Sequence, residues 1–115
     1  MDEIIMVEKP IPKADLKQIA LERFGDMVKA VVDLEKNIMA VGGGLHADEE
    51  AFLLQKHSVQ ENLWGINIYP ELEMPDMVEF DSMINIRPRQ NNRSRSVEDE
   101  KIRNQILEIV KKLVL

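Results

Sequence analysis

The sequence contains no cysteine, one tryptophan, one tyrosine and no long apolar run. Without cysteine it can build neither a disulfide framework nor a zinc ribbon, and thiol catalysis is excluded. No apolar stretch approaches the roughly 20 residues that a membrane-crossing helix needs. The start Met1-Asp2-Glu3 is acidic, where a secretory leader is basic. The expected location is therefore cytoplasmic, with no membrane partner. The tract Gly42-Gly43-Gly44 is not followed by Gly-Lys-Ser or Gly-Lys-Thr, so it is not a phosphate-binding P-loop. Neither an HExxH spacing nor a recognisable Ser–His pairing is present, and no cofactor is predicted.

What is present describes one small domain over residues 1–115. An apolar fraction of 44% against 31% charged residues is enough to bury a core. The net charge of −6 disfavours general affinity for nucleic acid or anionic membranes. That charge is unevenly placed. Four of the six arginines, Arg87, Arg89, Arg93 and Arg95, fall within nine residues, and no acid occurs between Asp81 and Glu98. The segment is a +4 island that leaves −10 for the rest of the chain. Guanidinium groups are rigid forks of donors suited to carboxylate or phosphate.

Hydrophobic periodicity places the elements. Ile4, Ile5, Met6 and Val7 predict a short strand, stopped by Pro10 and Pro12. Leu16, Ile19, Ala20 and Phe24 form a 3.6-residue stripe, predicting a helix over residues 13–24 that Gly25 ends in the left-handed region. Val28, Ala30, Val32 and Leu34 alternate with their neighbours as a half-buried strand. Glu35-Lys36-Asn37 makes a turn, with Asn37 suited to positive φ, and residues 38–41 return. The triple glycine then marks a bend or a close approach to the backbone. Residues 51–54 fit a helical turn or a buried strand, since four apolar residues fix no period; the strand is preferred, joined through residues 56–60 to a second strand at 63–69 that Pro70 ends. Alternation over residues 77–87 predicts one more. Ser96 is the expected cap of a last helix, with Glu98, Asp99 and Glu100 in its first turn and Lys111 and Lys112 at its end. Its apolar stripe is Ile102, Ile106, Ile109, Val110 and Leu113. The order β-α-β-β-β-β-β-α predicts an α+β fold: a mostly antiparallel sheet, a meander of about five to six strands, with two helices packed on one face.

Three segments hold polar residues that such a fold does not itself require. After the glycines, His46, Asp48 and Glu49 are donors suited to a divalent metal, although one imidazole supplies a single nitrogen ligand. A hairpin between residues 63–69 and 77–87 would gather Asn67, Tyr69, Asp81, Asn85 and Arg87 on one surface, leaving Ile66, Ile68, Phe80, Ile84 and Ile86 in the core. His46 joins Asn67, Tyr69, Asp81 and Asn85 as a candidate polar cleft. The third segment is the arginine loop, where Arg87, Arg89, Asn92, Arg93, Ser94 and Arg95 are candidate contacts for an anion or a partner. Trp64 is expected in the core, His57 in an exposed turn, and the seven methionines as core filler.

Several long strings carry a family resemblance. They are Arg23-Phe24-Gly25-Asp26-Met27-Val28-Lys29-Ala30-Val31-Val32-Asp33, Leu45-His46-Ala47-Asp48-Glu49-Glu50, Leu63-Trp64-Gly65-Ile66-Asn67-Ile68-Tyr69-Pro70, Glu79-Phe80-Asp81-Ser82-Met83-Ile84-Asn85-Ile86-Arg87-Pro88 and Asn92-Arg93-Ser94-Arg95. Together they resemble a family of small prokaryotic proteins known only as a domain of unknown function. The resemblance implies a stand-alone bacterial or archaeal protein and brings no activity, cofactor or catalytic residue with it. The leading functional expectation is a non-catalytic binding module, monomeric or homodimeric, whose arginine loop contacts a phosphate-bearing ligand, RNA or an acidic protein. Two alternatives stand beside it. One is a metal-assisted hydrolase using His46, Asp48, Glu49 and Asp81; the other is a structural subunit that self-associates through the glycine tract and a sheet edge.

Overall fold

In the computed structural model, which describes residues 3–115, a tight hairpin seeds the sheet. Met1 and Asp2, part of the acidic start, lie outside the described residues. β2 (Val28–Asp33) returns as β3 (Ile38–Val41). Their turn is held by Asp33, whose Oδ1 accepts the N–H groups of Glu35 and Lys36 at 2.9 and 3.0 Å. Asn37 takes the positive φ, +56°, that closes the reversal. Asp33 is buried, and its second oxygen accepts the Ser58 hydroxyl at 2.6 Å, so both acceptors are satisfied.

The other strands are β1 (Ile5–Val7), β4 (Leu63–Ile68) and β5 (Val78–Glu79). The sheet order is β1-β3-β2-β4-β5, with every neighbouring pair antiparallel. The α+β class and the antiparallel sheet of five strands agree with expectation, but the meander does not. β1 lies against β3 because α1 (Lys13–Glu22) separates it from β2, and β4 lies on the far side of β2 after α2 (His46–Gln55) has crossed the sheet. Helix α1 ends near the expected point: Gly25, at φ +96°, returns its N–H to Ala20 O at 2.6 Å.

Among the described residues there are three α-helices, not two, and they cover both faces. Val28, Ala30, Val32, Met39, Val41, Trp64, Ile66 and Ile68 pack against Leu16 and Ala20 of α1 and Ile106, Val110 and Leu113 of α3 (Glu100–Leu113). The opposite face places Val31, Ile38, Ala40 and Leu63 under Leu53 of α2 and the partly buried Ile84. Residues 51–54, expected as a strand, belong to α2. Its buried stripe is His46, Glu49 and Leu53, so two of three inward positions are polar and the helical period is invisible to hydrophobicity.

Two further expectations are corrected. Residues 77–87 give only the two-residue β5, after which Ser82 caps a 3₁₀ turn at Met83–Asn85 by accepting the Ile84 N–H at 3.3 Å. The alternation is interrupted because Gly65 leaves a hollow on β4 that Ser82 and Ile84 occupy. Helix α3 begins at Glu100 and is capped by Asp99, whose Oδ1 accepts the Lys101 N–H at 2.8 Å; Ser96 does not cap it. Val97 is drawn into the core and Glu98 into the preceding loop, which delays the first helical turn. Leu113 O then accepts the Ile11 N–H at 2.8 Å, and Ile11 O accepts that of Leu115 at 3.0 Å, tying the chain end to the approach to α1.

The glycines separate two kinds of constraint. A Cβ on Gly42 would stand 2.6 Å from Glu3 O, and one on Gly43 would stand 2.9 Å from Glu49 Cγ, so the tract marks close approach. A Cβ on Gly65 would stand 2.6 Å from Ser82 Cβ and Oγ and 3.1 Å from Ile84 Cγ1, whereas one on Gly25 meets nothing within 4 Å. Gly25→Ala is therefore expected to cost about 1–2 kcal/mol for its backbone conformation alone. Gly65→Ala should cost about 2–3 kcal/mol or more, because the packed 82–84 segment must move. Urea unfolding of the two variants checks this; a Gly65→Ala protein as stable as the parent would show that the hollow is not tightly filled.

Candidate functional site: a clamped arginine loop beside a polar cleft

The arginine loop is organised by two buried asparagines. β5 is too short to pair with the first half of β4, which leaves the main chain of Gly65 facing an unfinished edge. Asn85 finishes it. Its Oδ1 accepts the Gly65 N–H at 2.8 Å and its Nδ2 donates to Gly65 O at 2.9 Å and to Arg95 O at 3.0 Å. A side-chain amide thus supplies the donor and acceptor that another strand residue would have supplied. Asn92 closes the loop on itself. Its main chain exchanges hydrogen bonds with Arg87, donating at 3.2 Å and accepting at 2.7 Å. Its Nδ2 donates to Asn85 O at 2.8 Å and Ser96 O at 2.7 Å, and its Oδ1 accepts the Glu98 N–H at 2.8 Å.

On this frame the four arginines part into two pairs. Arg87 turns inward, donating to Gln60 O and, at 2.6 Å, to Leu63 O, with its guanidinium 4.2 Å from the centre of the Trp64 ring. Burial pushes its pKa below the ordinary arginine value, opposed by the carboxylates of Glu50 and Glu61. Arg95 meets Asp81 at 2.7 Å. Arg89 and Arg93 are exposed, and their guanidinium groups make no ion pair among the described residues. Ser94 lies between them and the helix: the Glu98 carboxylate accepts the N–H groups of Arg93 at 2.8 Å and Ser94 at 2.9 Å. The Arg93 N–H foremost, then the Ser94 hydroxyl and N–H, hold the Glu98 carboxyl below its ordinary pKa.

A second polar region lies on the α2 side of the sheet. Lys29, Asn67 and Glu79 stand in register across β2, β4 and β5. Glu79 Oε1 accepts from Asn67 Nδ2 at 2.8 Å and from the Tyr69 hydroxyl at 3.2 Å. Desolvation, together with that carboxylate, raises the Tyr69 pKa. At the start of α2, His46 Nε2 lies 2.7 Å from Ile66 O. A carbonyl only accepts, so Nε2 carries the proton. Burial lowers the His46 pKa from 6.5 to about 4, with Lys29 and Arg95 adding to the effect and the Ile66 carbonyl and Asp81 opposing it. His46, Lys29, Ser82 and Arg95 line a cleft of about 160 Å³ whose rim is Leu45 and Met83.

The structure brings Asn67 and Tyr69 together through Glu79, and places His46 beside the Asp81–Arg95 pair. It does not bring Asn85 or Arg87 to that surface: Asn85 is buried against Gly65, and Arg87 lies over Trp64 near the start of β4. Asp48 is exposed in the first turn of α2, while Glu49 is buried and accepts the Gly43 N–H at 2.9 Å. Among the described residues no three His, Asp or Glu side chains group so as to hold a metal ion. Lys29, Glu79 and Ser82 were not among the expected site residues. The first two are the polar members of alternating strands, a signal that names a face but not the neighbours across it. Trp64 is buried as expected, but Met83 is 65% exposed and is not core filler.

These features define a small α+β domain whose polar surface consists of an asparagine-clamped arginine loop and an adjoining cleft. Residues 5–113 match the family model described as a protein of unknown function (DUF5674), and the chain belongs to that family. No curated protein and no solved structure matches it. Among the described residues no helix is long and apolar enough to cross a membrane.

Asn85→Ala removes the partners of a buried main-chain N–H and C=O, and is expected to cost about 2–4 kcal/mol. Hydrogen exchange should show the lost protection centred on Gly65 and residues 82–96; uniform loss across the sheet would contradict the local role. His46 gives a pH signature. Unfolded, it takes up a proton near pH 6.5, and folded only near pH 4, so the unfolded state binds more protons in between. Its stabilising contribution is complete above that window and is lost as pH falls through it. Denaturation midpoints measured across the window should therefore fall more steeply for the parent than for His46→Gln; equal slopes would show that the imidazole is not desolvated.

Proposed function

We propose that this protein is a non-catalytic binding module that grips an acidic segment of a partner protein with Arg89 and Arg93. One observation carries the reading. In a chain whose remainder has a charge of −10, these two guanidinium groups stay exposed and make no ion pair among the described residues, on a loop that two buried asparagines hold in shape. A preorganised loop loses little entropy when it binds, and two forked donors suit two carboxylates. The reading treats the chain as a single cytoplasmic domain, in keeping with its charged, cysteine-free composition.

The surroundings favour a protein partner over RNA. Single-stranded RNA is recognised largely by stacking its bases on exposed aromatic rings. Trp64 is buried beneath Arg87, the Tyr69 hydroxyl is engaged with Glu79, and the exposed Phe24 ring has the Lys29 ammonium over it. A phosphate group is best held by converging backbone N–H groups, and the pair offered by Arg93 and Ser94 is already filled by Glu98.

Fluorescence anisotropy with a Glu-rich peptide and with a single-stranded RNA oligomer, each at low and high salt, tests the proposal. The peptide should bind, weaken with salt, and lose roughly tenfold in affinity for each of Arg89→Ser and Arg93→Ser. Both variants should unfold within about 0.5 kcal/mol of the parent, because both side chains are exposed and neither makes an ion pair among the described residues. Tighter binding to RNA, or peptide binding indifferent to both substitutions, would overturn it.

A further inference from the structure

The cleft at the start of α2 holds groups that the arginine-loop reading leaves unused. His46 is only 7% exposed, yet one ring nitrogen alone is engaged. With Nε2 donating to Ile66 O, Nδ1 is an acceptor and has no donor among the described residues. Leu45 provides no side-chain cap, and the backbone N–H groups of His46 and Ala47 have no acceptor among the described residues. Lys29 has no carboxylate within ion-pairing distance among them either; its ammonium lies 5.3 Å from the centre of the Phe24 ring. The rim is apolar and wet, with Leu45 60% and Met83 65% exposed.

We propose that this cleft binds a small monoanionic hydroxy acid, a carboxylate with a neighbouring hydroxyl and a short apolar tail. Lys29 and the free N–H groups at the start of α2 take the carboxylate, where the positive end of the helix dipole adds to the attraction. The hydroxyl donates to His46 Nδ1, the unbonded ring nitrogen that a largely buried side chain leaves open to the cleft. The tail covers Leu45 and Met83. Charge sets the ligand's valence. Arg95 is already paired with Asp81 at 2.7 Å, so among the described residues Lys29 is the cation lining the cleft that has no ion pair, which suits a monoanion better than a phosphate dianion. Two neighbouring cations disfavour a metal ion at Nδ1. This site does not depend on Arg89 or Arg93.

The test is an amide NMR titration of the full chain with leucic acid, with its deoxy counterpart isocaproate, and with inorganic phosphate. Leucic acid should give saturable shifts at the His46 and Ala47 amides, and isocaproate should bind about tenfold more weakly for want of the hydroxyl. Lys29→Met should weaken leucic acid by about tenfold as well. Because the ligand comparison uses the parent protein, it stands whether or not that variant folds. Absence of saturation by leucic acid, equal affinity for isocaproate, or tighter binding of phosphate would each overturn the assignment.

Discussion

The pair of hydrogen bonds between the Asn85 amide and the main chain of Gly65 is the interaction on which the polar half of the molecule depends. A buried strand edge must find partners for its N–H and C=O groups, and β5 stops two residues too early to provide them at Gly65. Asn85 supplies both from a single side chain, and its third bond, to Arg95 O, fastens the far end of the loop to the same point. Gly65 has to be glycine for the arrangement to form, because Ser82 and Ile84 occupy the volume of its missing side chain. One residue without a side chain and one with an amide therefore hold residues 82–96 against the sheet.

Once the loop is held, its arginines cease to be equivalent. Arg87 is committed to two carbonyls and the face of Trp64, and Arg95 to Asp81. An inward guanidinium over an indole ring seals the edge of the core, and an ion pair at the loop's end limits its sway. Arg89 and Arg93 stay exposed and make no ion pair among the described residues, and the proposed recognition rests on them. Glu98 strengthens the distinction. By accepting the N–H groups of Arg93 and Ser94 it occupies a backbone site that a small anion would otherwise use.

The two covered faces of the sheet explain why the cleft lies where it does. Val31, Ile38, Ala40 and Leu63 accept α2 and the 3₁₀ turn, while further along the same face of β2 and β4 stand the polar Lys29 and Asn67. The border between these halves falls at the first residue of α2. His46 sits on that border, buried enough to stay neutral and near enough to Lys29 and Arg95 to feel both charges.

Much of the fold was legible because its signals are local. The β2–β3 hairpin, the Asn37 reversal, the stop at Gly25, the strand at β4 and the stripe of α3 each rest on residue types that favour one local conformation whatever lies around them. Helix α2 was not legible, since its inward stripe includes a histidine and a glutamate whose burial makes sense only beside Ile66 O and Gly43 N–H. The concentration of arginine was visible in the chain, as was the placing of Asn67 near Tyr69, which Glu79 joins. Which guanidinium turns inward, which asparagine replaces a strand and which lysine lines the cleft were decided only on folding. Those outcomes depend on contacts between residues far apart in sequence, and pairwise geometry of that kind leaves no period or spacing to read.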